Sequence, residues 1–432
     1  MSYVTRVETH FIKKSDPFYE WASEEFLKSR NLYNRTLYIY RQAFTGKHEN
    51  IPDFIDIIKD ERFVGKFDMR KRMAALNDYD YRAMHKSHSA NQVIIQVDTI
   101  WKAWFKALNA YKKNPSKFTG RPKMPKYKKE GVPNILIYEQ DDARIQKDGS
   151  INISKTVKIP VFTKVTKIQE VRLIPSNNHI KVEIVYRKEV DDKGLNKDNA
   201  LGIDLGLNNL MAVTSNEGSI SILVNGRPLK AINHYYNKKK AHYTSILNKH
   251  GKKFSKRLKR LEAKRMMKIK DYLHKASRRV VDMMIDNNIG TCVIGHNKDW
   301  KQKVNMGKKG NQNFVQIPFA TAIDMLKYKL EDVGGELIEV NEAYTSKCSF
   351  LDNIKICKHK DNEYGGKRGI EMNGHKHRGL YRSVTKGLIN SDINGSLNII
   401  RLGTGNTFAV KSNVFNPKKI DINVKLNPVL DK

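Results

Sequence analysis

Along the 432-residue chain the spacing of apolar positions switches between a period of two and a period near 3.6, and the switches mark out its elements. Tyr3 to Ile12 is rich in β-formers and partly alternating, which predicts a strand. Asp16 and Pro17 then supply a cap and a first helical residue, and Ala22, Phe26, Tyr33, Leu37, Tyr40 and Phe44 recur on one helical face. A second helical block runs from Arg82 to Lys113. Its stripe of Val97, Trp101, Phe105 and Leu108, with Trp104 and Tyr111 beside it among lysines, predicts helix-bundle core rather than a base-stacking surface. Pro122 and Pro125 stop any helix there. From Asn134 to Lys188 the period returns to two, with Ile180, Val182, Ile184 and Tyr186 alternating with Lys181 and Glu183. This predicts a small antiparallel sheet or barrel, completed by the first strand, with the helices as an insertion.

A second architecture begins near Ala200, after the linker-like Asp191-Asp192-Lys193-Gly194. Three short apolar runs follow, Ala200–Gly206, Leu210–Thr214 and Ile220–Val224, the last two joined by a turn at Asn216-Glu217-Gly218. Thr291–Gly295 and Glu336–Glu342 read as further strands, and a helix is predicted to begin near Asp392. Between them, Ile269, Leu273, Ala276, Val280 and Met283 give Lys238–Arg279 a narrow helical seam.

Composition narrows the function. Hydrophobic residues are 39% of the chain, enough for cores, and no apolar run approaches the roughly 18 residues of a membrane span. Three cysteines cannot staple a secreted scaffold, and the start of the chain lacks a signal-like stretch, so a cytoplasmic, reducing location is expected. The net charge of +35 calls for a polyanion partner, and nucleic acid is the one it fits. Two segments concentrate the charge. The proline-bounded strap carries Arg121, Lys123, Lys126, Lys128 and Lys129 with no acid, and reads as a phosphate-contacting strap. Lys238–Arg279 holds seventeen Lys or Arg against Glu262 and Asp271 alone; within it Lys256, Arg257, Lys259 and Arg260 are candidate phosphate contacts.

Against this positive background a few acids stand out. Asp204 lies within a buried-type strand, where a carboxylate is costly unless it pairs or binds a metal. Glu342 closes a strand at the edge where α/β sheets place their chemistry, and Asp392 opens a helix. Three acids from separate elements are what a two-metal phosphodiester site requires. The three short strands suit the meander that opens an RNase H-like domain.

Gly202-Ile203-Asp204-Leu205-Gly206-Leu207-Asn208-Asn209-Leu210 resembles the first RuvC motif of the TnpB family, transposon-associated nucleases related to type V CRISPR effectors. Val340–Ser349 resembles the second motif, Asn390–Ile399 the third. Val293–Lys301, Asn313–Phe319 and Pro122–Lys128 are similar to the family in the same order. The resemblance implies an α+β multidomain protein. In it residues 1–15 and 120–195 would be a wedge-like β-barrel and 16–119 a helical recognition domain. A RuvC nuclease domain would follow at 196–342 and 389–403, with basic helices at 231–288, a finger-like nucleic-acid-binding lobe at 343–388 and a tail at 404–432. It also implies an RNA-guided, Mg²⁺-dependent DNA endonuclease. Asp204, Glu342 and Asp392 would hold two metals, guide RNA and target double-stranded DNA would be the partners, and the heteroduplex would be read by shape. A guided binder that represses without cutting, and a transposase on the same fold, are the alternatives. The lobe departs from the family in lacking any Cys-x-x-Cys pair. Cys348, Cys357, His359, His375 and His377 are too widely spaced for a standard knuckle, so no structural zinc is expected, and Arg368, Arg378 and Arg382 are its candidate phosphate contacts.

Overall fold

In the computed structural model the described residues are 2–60, 62–176, 179–297, 312, 315–360, 363–372 and 375–422; they divide between Glu189 and Val190 into two units. Within the expected motifs, Lys298–Lys301, Asn313 and Phe314 lie outside the described residues, as do tail positions 423–432.

The first unit runs β1 (Tyr3–Lys13), α1 (Phe18–Thr45), the hairpin β2 (Ile58–Lys59) and β3 (Phe63–Val64), α2 (Lys66–Ala75), α3 (Tyr79–Arg82) and α4 (Ser87–Lys113). Six strands follow: β4 (Leu136–Glu139), β5 (Arg144–Ile145), β6 (Ser150–Asn152), β7 (Lys158–Phe162), β8 (Ile168–Pro175) and β9 (His179–Glu189). Asp16 caps the long first helix, its Oδ1 accepting from the Phe18 amide at 2.9 Å. The α1 and α4 stripes meet in the core: Trp101 is 1% exposed, and Phe44, Trp104 and Phe105 pack around it at centroid distances of 5.8, 5.2 and 6.0 Å.

β1 pairs antiparallel with β9, Tyr3 opposite Glu189 and Lys13 opposite His179. The sheet order is β1-β9-β8-β4, while β5, β6 and β7 form a sheet of their own. The small antiparallel sheet or barrel expected from the period-two region is, among the described residues, two hydrogen-bonded sheets. The reason is local. The amides of Asp142 and Ala143 both donate to the Glu139 carbonyl, a tight turn that ends β4 after four residues and takes the chain out of the first sheet.

The second unit begins with β10 (Ala200–Leu205), β11 (Asn209–Ser215), β12 (Ser221–Asn225), α5 (Arg227–Lys249), α6 (Lys256–Asp286) and β13 (Thr291–Gly295). It continues with α7 (Phe319–Glu331), β14 (Glu336–Val340), the lobe strands β15 (Gly366–Met372), β16 (His375–Ser383) and β17 (Gly387–Asn390), then α8 (Ser391–Thr404) and β18 (Lys418–Ile420). Six strands form one mixed sheet, β14-β13-β10-β11-β12-β18; β13 runs parallel to β10 and β14 parallel to β13. The sheet faces sort by alternation. Leu201, Ile203 and Leu205 share a core with Leu273, Ala276 and Val280 of α6 and Leu326 of α7. Gly202 and Asp204 point the other way, toward α8, where Ser396 Oγ donates to the Gly202 carbonyl at 2.8 Å. No helix among the described residues is long and apolar enough to cross a membrane.

Candidate active site

Asp204, Glu342 and Asp392 come from three stretches that the sheet brings to one edge. Asp204 sits one residue from the end of β10. Glu342 follows β14, which ends at Val340 rather than carrying the acid within the strand. Asn341 and Glu342 instead turn away, with the Glu342 amide donating to Asn297 Oδ1 at 3.1 Å. Asp392 lies in the first turn of α8, where the Asn390 side chain caps by accepting from the Asp392 and Ile393 amides at 3.0 and 3.2 Å.

Of the three, Asp204 is the acid on which the charges of both others act. Burial, then the neighbouring charges of Asp392 and Glu342, hold the Asp204 pKa well above the ordinary carboxylate range, with Arg368 opposing. Burial raises Glu342 to about 7, against the pull of His296. Glu342 Oε2 is buried and has no hydrogen-bond partner among the described residues. Two glycines make the room. A Cβ at Gly295 would stand 2.6 Å from Glu342 Oε2, and one at Gly395 would collide with Asp204 Oδ2. Crowded carboxylates that repel one another, with an orphaned oxygen among them, suit a multivalent cation. The donors are not already gathered around a vacant centre: among the described residues no three His, Cys, Asp or Glu side chains form a ligand set. Asp392 is instead engaged through both oxygens, Oδ2 accepting from Asn209 Nδ2 at 2.8 Å and Oδ1 facing Arg368 at 3.4 Å.

Around the acids is a ring of amides that sequence reasoning passed over. Asn398 Nδ2 donates to the carbonyls of Thr345 and Cys348, both at 2.8 Å. Asn394 Nδ2 donates to Cys348 O at 2.9 Å while its Oδ1 accepts from the Phe350 amide at 3.0 Å. Thr345 in turn donates through Oγ1 to the Glu342 carbonyl at 2.9 Å. The helix that carries Asp392 is thereby tied to the turn that carries Glu342. Asn209, Asn394 and Asn398 all fall in the quoted motifs; a buried amide two and six residues past a helix-opening acid was the available signal.

The charged candidates are distributed as follows. The strap is irregular but pinned: Asn34 exchanges hydrogen bonds with the Lys128 backbone at 2.9 and 2.8 Å, and Trp104 Nε1 donates to the Pro122 carbonyl at 3.2 Å. Arg121, Lys123 and Lys126 are exposed, whereas Lys128 is half-buried with Nζ over the Tyr33 ring at 5.0 Å. Lys256, Arg257, Lys259 and Arg260 are exposed on the first turns of α6, and Arg378 and Arg382 are exposed on β16. Arg368, on β15, is the lobe cation that reaches the acids. Of the finger candidates, Cys348 Sγ faces the Cys357 carbonyl at 3.7 Å and Cys357 Sγ lies 3.2 Å from His359 Nε2, while His375 and His377 are exposed on β16.

Two family profiles match the sequence: OrfB_IS605, described as a probable transposase, over residues 183–301, and the Cas12f1-like TNB domain over residues 319–399. Asp204 falls in the first, Glu342 and Asp392 in the second. No curated protein matches the chain. Among solved structures it resembles the Cas12f1–sgRNA–target DNA complex, with 14% identity, 88% of this chain and 82% of that chain covered, and a TM-score of 0.54. It also aligns with the mini-RNA-guided endonuclease CRISPR-Cas_phi3, with 12% identity, 94% of each chain covered and a TM-score of 0.44. The first of these likenesses shows a shared fold.

Proposed function

We propose that this chain, a TnpB-like protein related to the type V effectors, is an RNA-guided endonuclease that cuts DNA at a single RuvC site. The observation that carries the reading is the convergence of Asp204, Glu342 and Asp392, with the first two held against ionisation by burial and, at Asp204, by the other acids' charge. Magnesium bound there would neutralise the charge that develops on the attacking and leaving oxygens of a phosphodiester. Asp204, Glu342 and Asp392 would hold it. Asn209 holds Asp392 Oδ2 in place, and the Asn394–Asn398 pair fixes Glu342 relative to Asp392. Arg368, 3.4 Å from Asp392 Oδ1, neutralises part of the acids' charge and would take a phosphate of the strand. The exposed cations of the strap and of α6 supply sequence-independent backbone contacts, which leaves sequence to base pairing between guide RNA and target double-stranded DNA.

The test is to purify the protein from its host, sequence any RNA bound to it and assay cleavage of matched DNA. Asp204→Ala, Glu342→Ala and Asp392→Ala are each expected to abolish cutting while guided DNA binding persists, because ligands that act as a unit fail together. Near-normal cutting by any one variant removes that residue from the site. The name of the first profile keeps a transposase in view. A protein that carries only random RNA fragments and joins DNA ends would favour it.

A further inference from the structure

The basic helical pair has a feature that its charge alone does not explain. In α5 the buried residues are Leu229, Asn233 and Tyr236, and in α6 they begin at Ile269. From Asn237 to Lys268 no residue is buried. About thirteen residues of each helix therefore stand clear of the core, an antiparallel arm of roughly 20 Å at 1.5 Å per residue. Its base is anchored. Asn237 and Gln316 exchange amide hydrogen bonds at 3.0 and 2.9 Å, and Arg265 donates to Asn233 Oδ1 at 2.7 Å and to the Gln316 carbonyl at 2.9 Å. Further out, Arg257 lies over the Tyr243 ring at 4.6 Å and stitches the two helices together. Over the same stretch thirteen Lys or Arg face one acid, Glu262. An arm with so little buried surface and so much like charge would gain stability from a polyanion lying along it.

At its tip is Phe254, 74% exposed. The turn does not need it. Gly251, in the left-handed region at φ +62°, and the Lys252 amide bonded to the Leu247 carbonyl at 2.9 Å end α5. Ser255 Oγ then accepts from the Leu258 amide at 3.1 Å and caps α6. A large apolar ring therefore projects from a tip otherwise made of Lys249, Lys252, Lys253 and Lys256, all exposed. An aromatic face ringed by cations is the pairing that single-stranded nucleic acid engages: the ring stacks on a base and the cations take the flanking phosphates.

We propose that the α5–α6 arm is a nucleic-acid-gripping arm whose tip stacks Phe254 on an unpaired base, a contact separate from the cleavage site. It rests on the nucleic-acid reading above. The strand could belong to RNA or to DNA, and the chemistry of stacking is shared.

The experiment uses the full-length protein with two fluorescent probes, an RNA and a single-stranded DNA of one sequence, each carrying 2-aminopurine, which loses fluorescence or regains it as its stacking changes. Phe254→Ala is expected to weaken binding of the cognate probe about tenfold, to abolish the protein-induced 2-aminopurine change and to leave the melting curve unaltered. Phe254→Trp is expected to restore both signals. Which probe responds more identifies the strand. Wild-type protein that binds while Phe254→Ala binds equally well, with the same 2-aminopurine response, overturns the stacking role and leaves the nuclease reading standing. A change confined to self-association in sedimentation overturns it as well. Wild-type protein that binds neither probe overturns the nucleic-acid reading and this proposal with it.

Discussion

At the scale of single residues, the acids of the candidate site destabilise the fold that positions them. Asp204 and Glu342 both have folded-state pKa values raised by burial, Glu342 to about 7. The sign follows from linkage. At low pH both are protonated whether the chain is folded or not. As pH rises past the ordinary carboxylate value, the unfolded chain releases its protons first, so the folded state loses stability up to and through about pH 7 for Glu342. Metal-free protein should therefore gain from removing the charge: Glu342→Gln and Asp204→Asn are expected to raise Tm at pH 8 by about 2–4 °C each, the size of a stabilisation of about 1 kcal/mol. At pH 4, where neither side chain is charged in the folded state, the gain should shrink towards zero. Thermal melts in a chelator, wild type against variant at the two pH values, separate this from the pH response of the whole +35 chain. Equal Tm values at pH 8 would mean the acids are solvated and paired rather than crowded. These acids were legible before the structure because a carboxylate in an apolar strand is a visible anomaly. Asn209, Asn394 and Asn398 were not singled out, since a neutral amide breaks no pattern until its buried partners are known.

At the scale of elements, what matters is that α8 serves as helix, cap and clamp at once. Its first turn presents Asp392 and its second and third turns reach back through Asn394 and Asn398 to the carbonyls of Thr345 and Cys348. Both amides are fully buried, and losing Asn398 takes one of two donors from the Thr345 and Cys348 carbonyls, which leaves Asn394 alone to tie the helix to the Glu342 turn. Asn398→Ala is expected to cut the cleavage rate by about tenfold or more, with guided DNA binding within a factor of two of wild type and a weaker response of cleavage to added Mg²⁺. Single-turnover cleavage titrated with Mg²⁺, alongside binding assays and a melting curve, checks it. Loss of binding in proportion to loss of cleavage would reduce the role to folding. The helices α1, α4 and α6 follow the 3.6 period because each buries one face, whereas β10, β11 and β12, buried on both faces, are legible as short continuous apolar runs. Five short strands escaped it. β4 to β7 are so short that alternation cannot say which strand pairs with which. β18, only three residues long, joins the sheet edge beside β12 through parallel backbone pairing from Lys418 to Ile420, and its one apolar residue, Ile420, is too little for a periodic signature.

At the scale of the whole molecule, the charge is arranged so that cations stay in solvent while the few pivotal acids are recessed. Each unit carries an exposed basic segment anchored at its base, the strap in the first and the α5–α6 arm in the second. Anchoring matters because a phosphate contact made by a fixed cation loses less entropy than one made by a floppy loop. Each phosphate neutralised releases condensed counterions, so the logarithm of affinity falls with the logarithm of salt at about 0.9 per contact on duplex DNA and about 0.7 on single strands. Lys256, Arg257, Lys259 and Arg260 lie on the first turns of α6, fully displayed and outside the folding core. Replacing all four with Gln is therefore expected to lower Tm only slightly, through the lost Arg257–Tyr243 contact, to weaken binding at low salt, and to flatten the slope by roughly two to three for four contacts partly shared among phosphates. The loss should be the same for unrelated sequences, since backbone contacts carry no base information. Binding measured by anisotropy at four or five salt concentrations gives the slope directly. A slope equal to that of wild type would show that this face is only solvated, and the positive partner surface would then have to be sought in the strap, where the same measurement on Arg121→Gln, Lys123→Gln and Lys126→Gln applies.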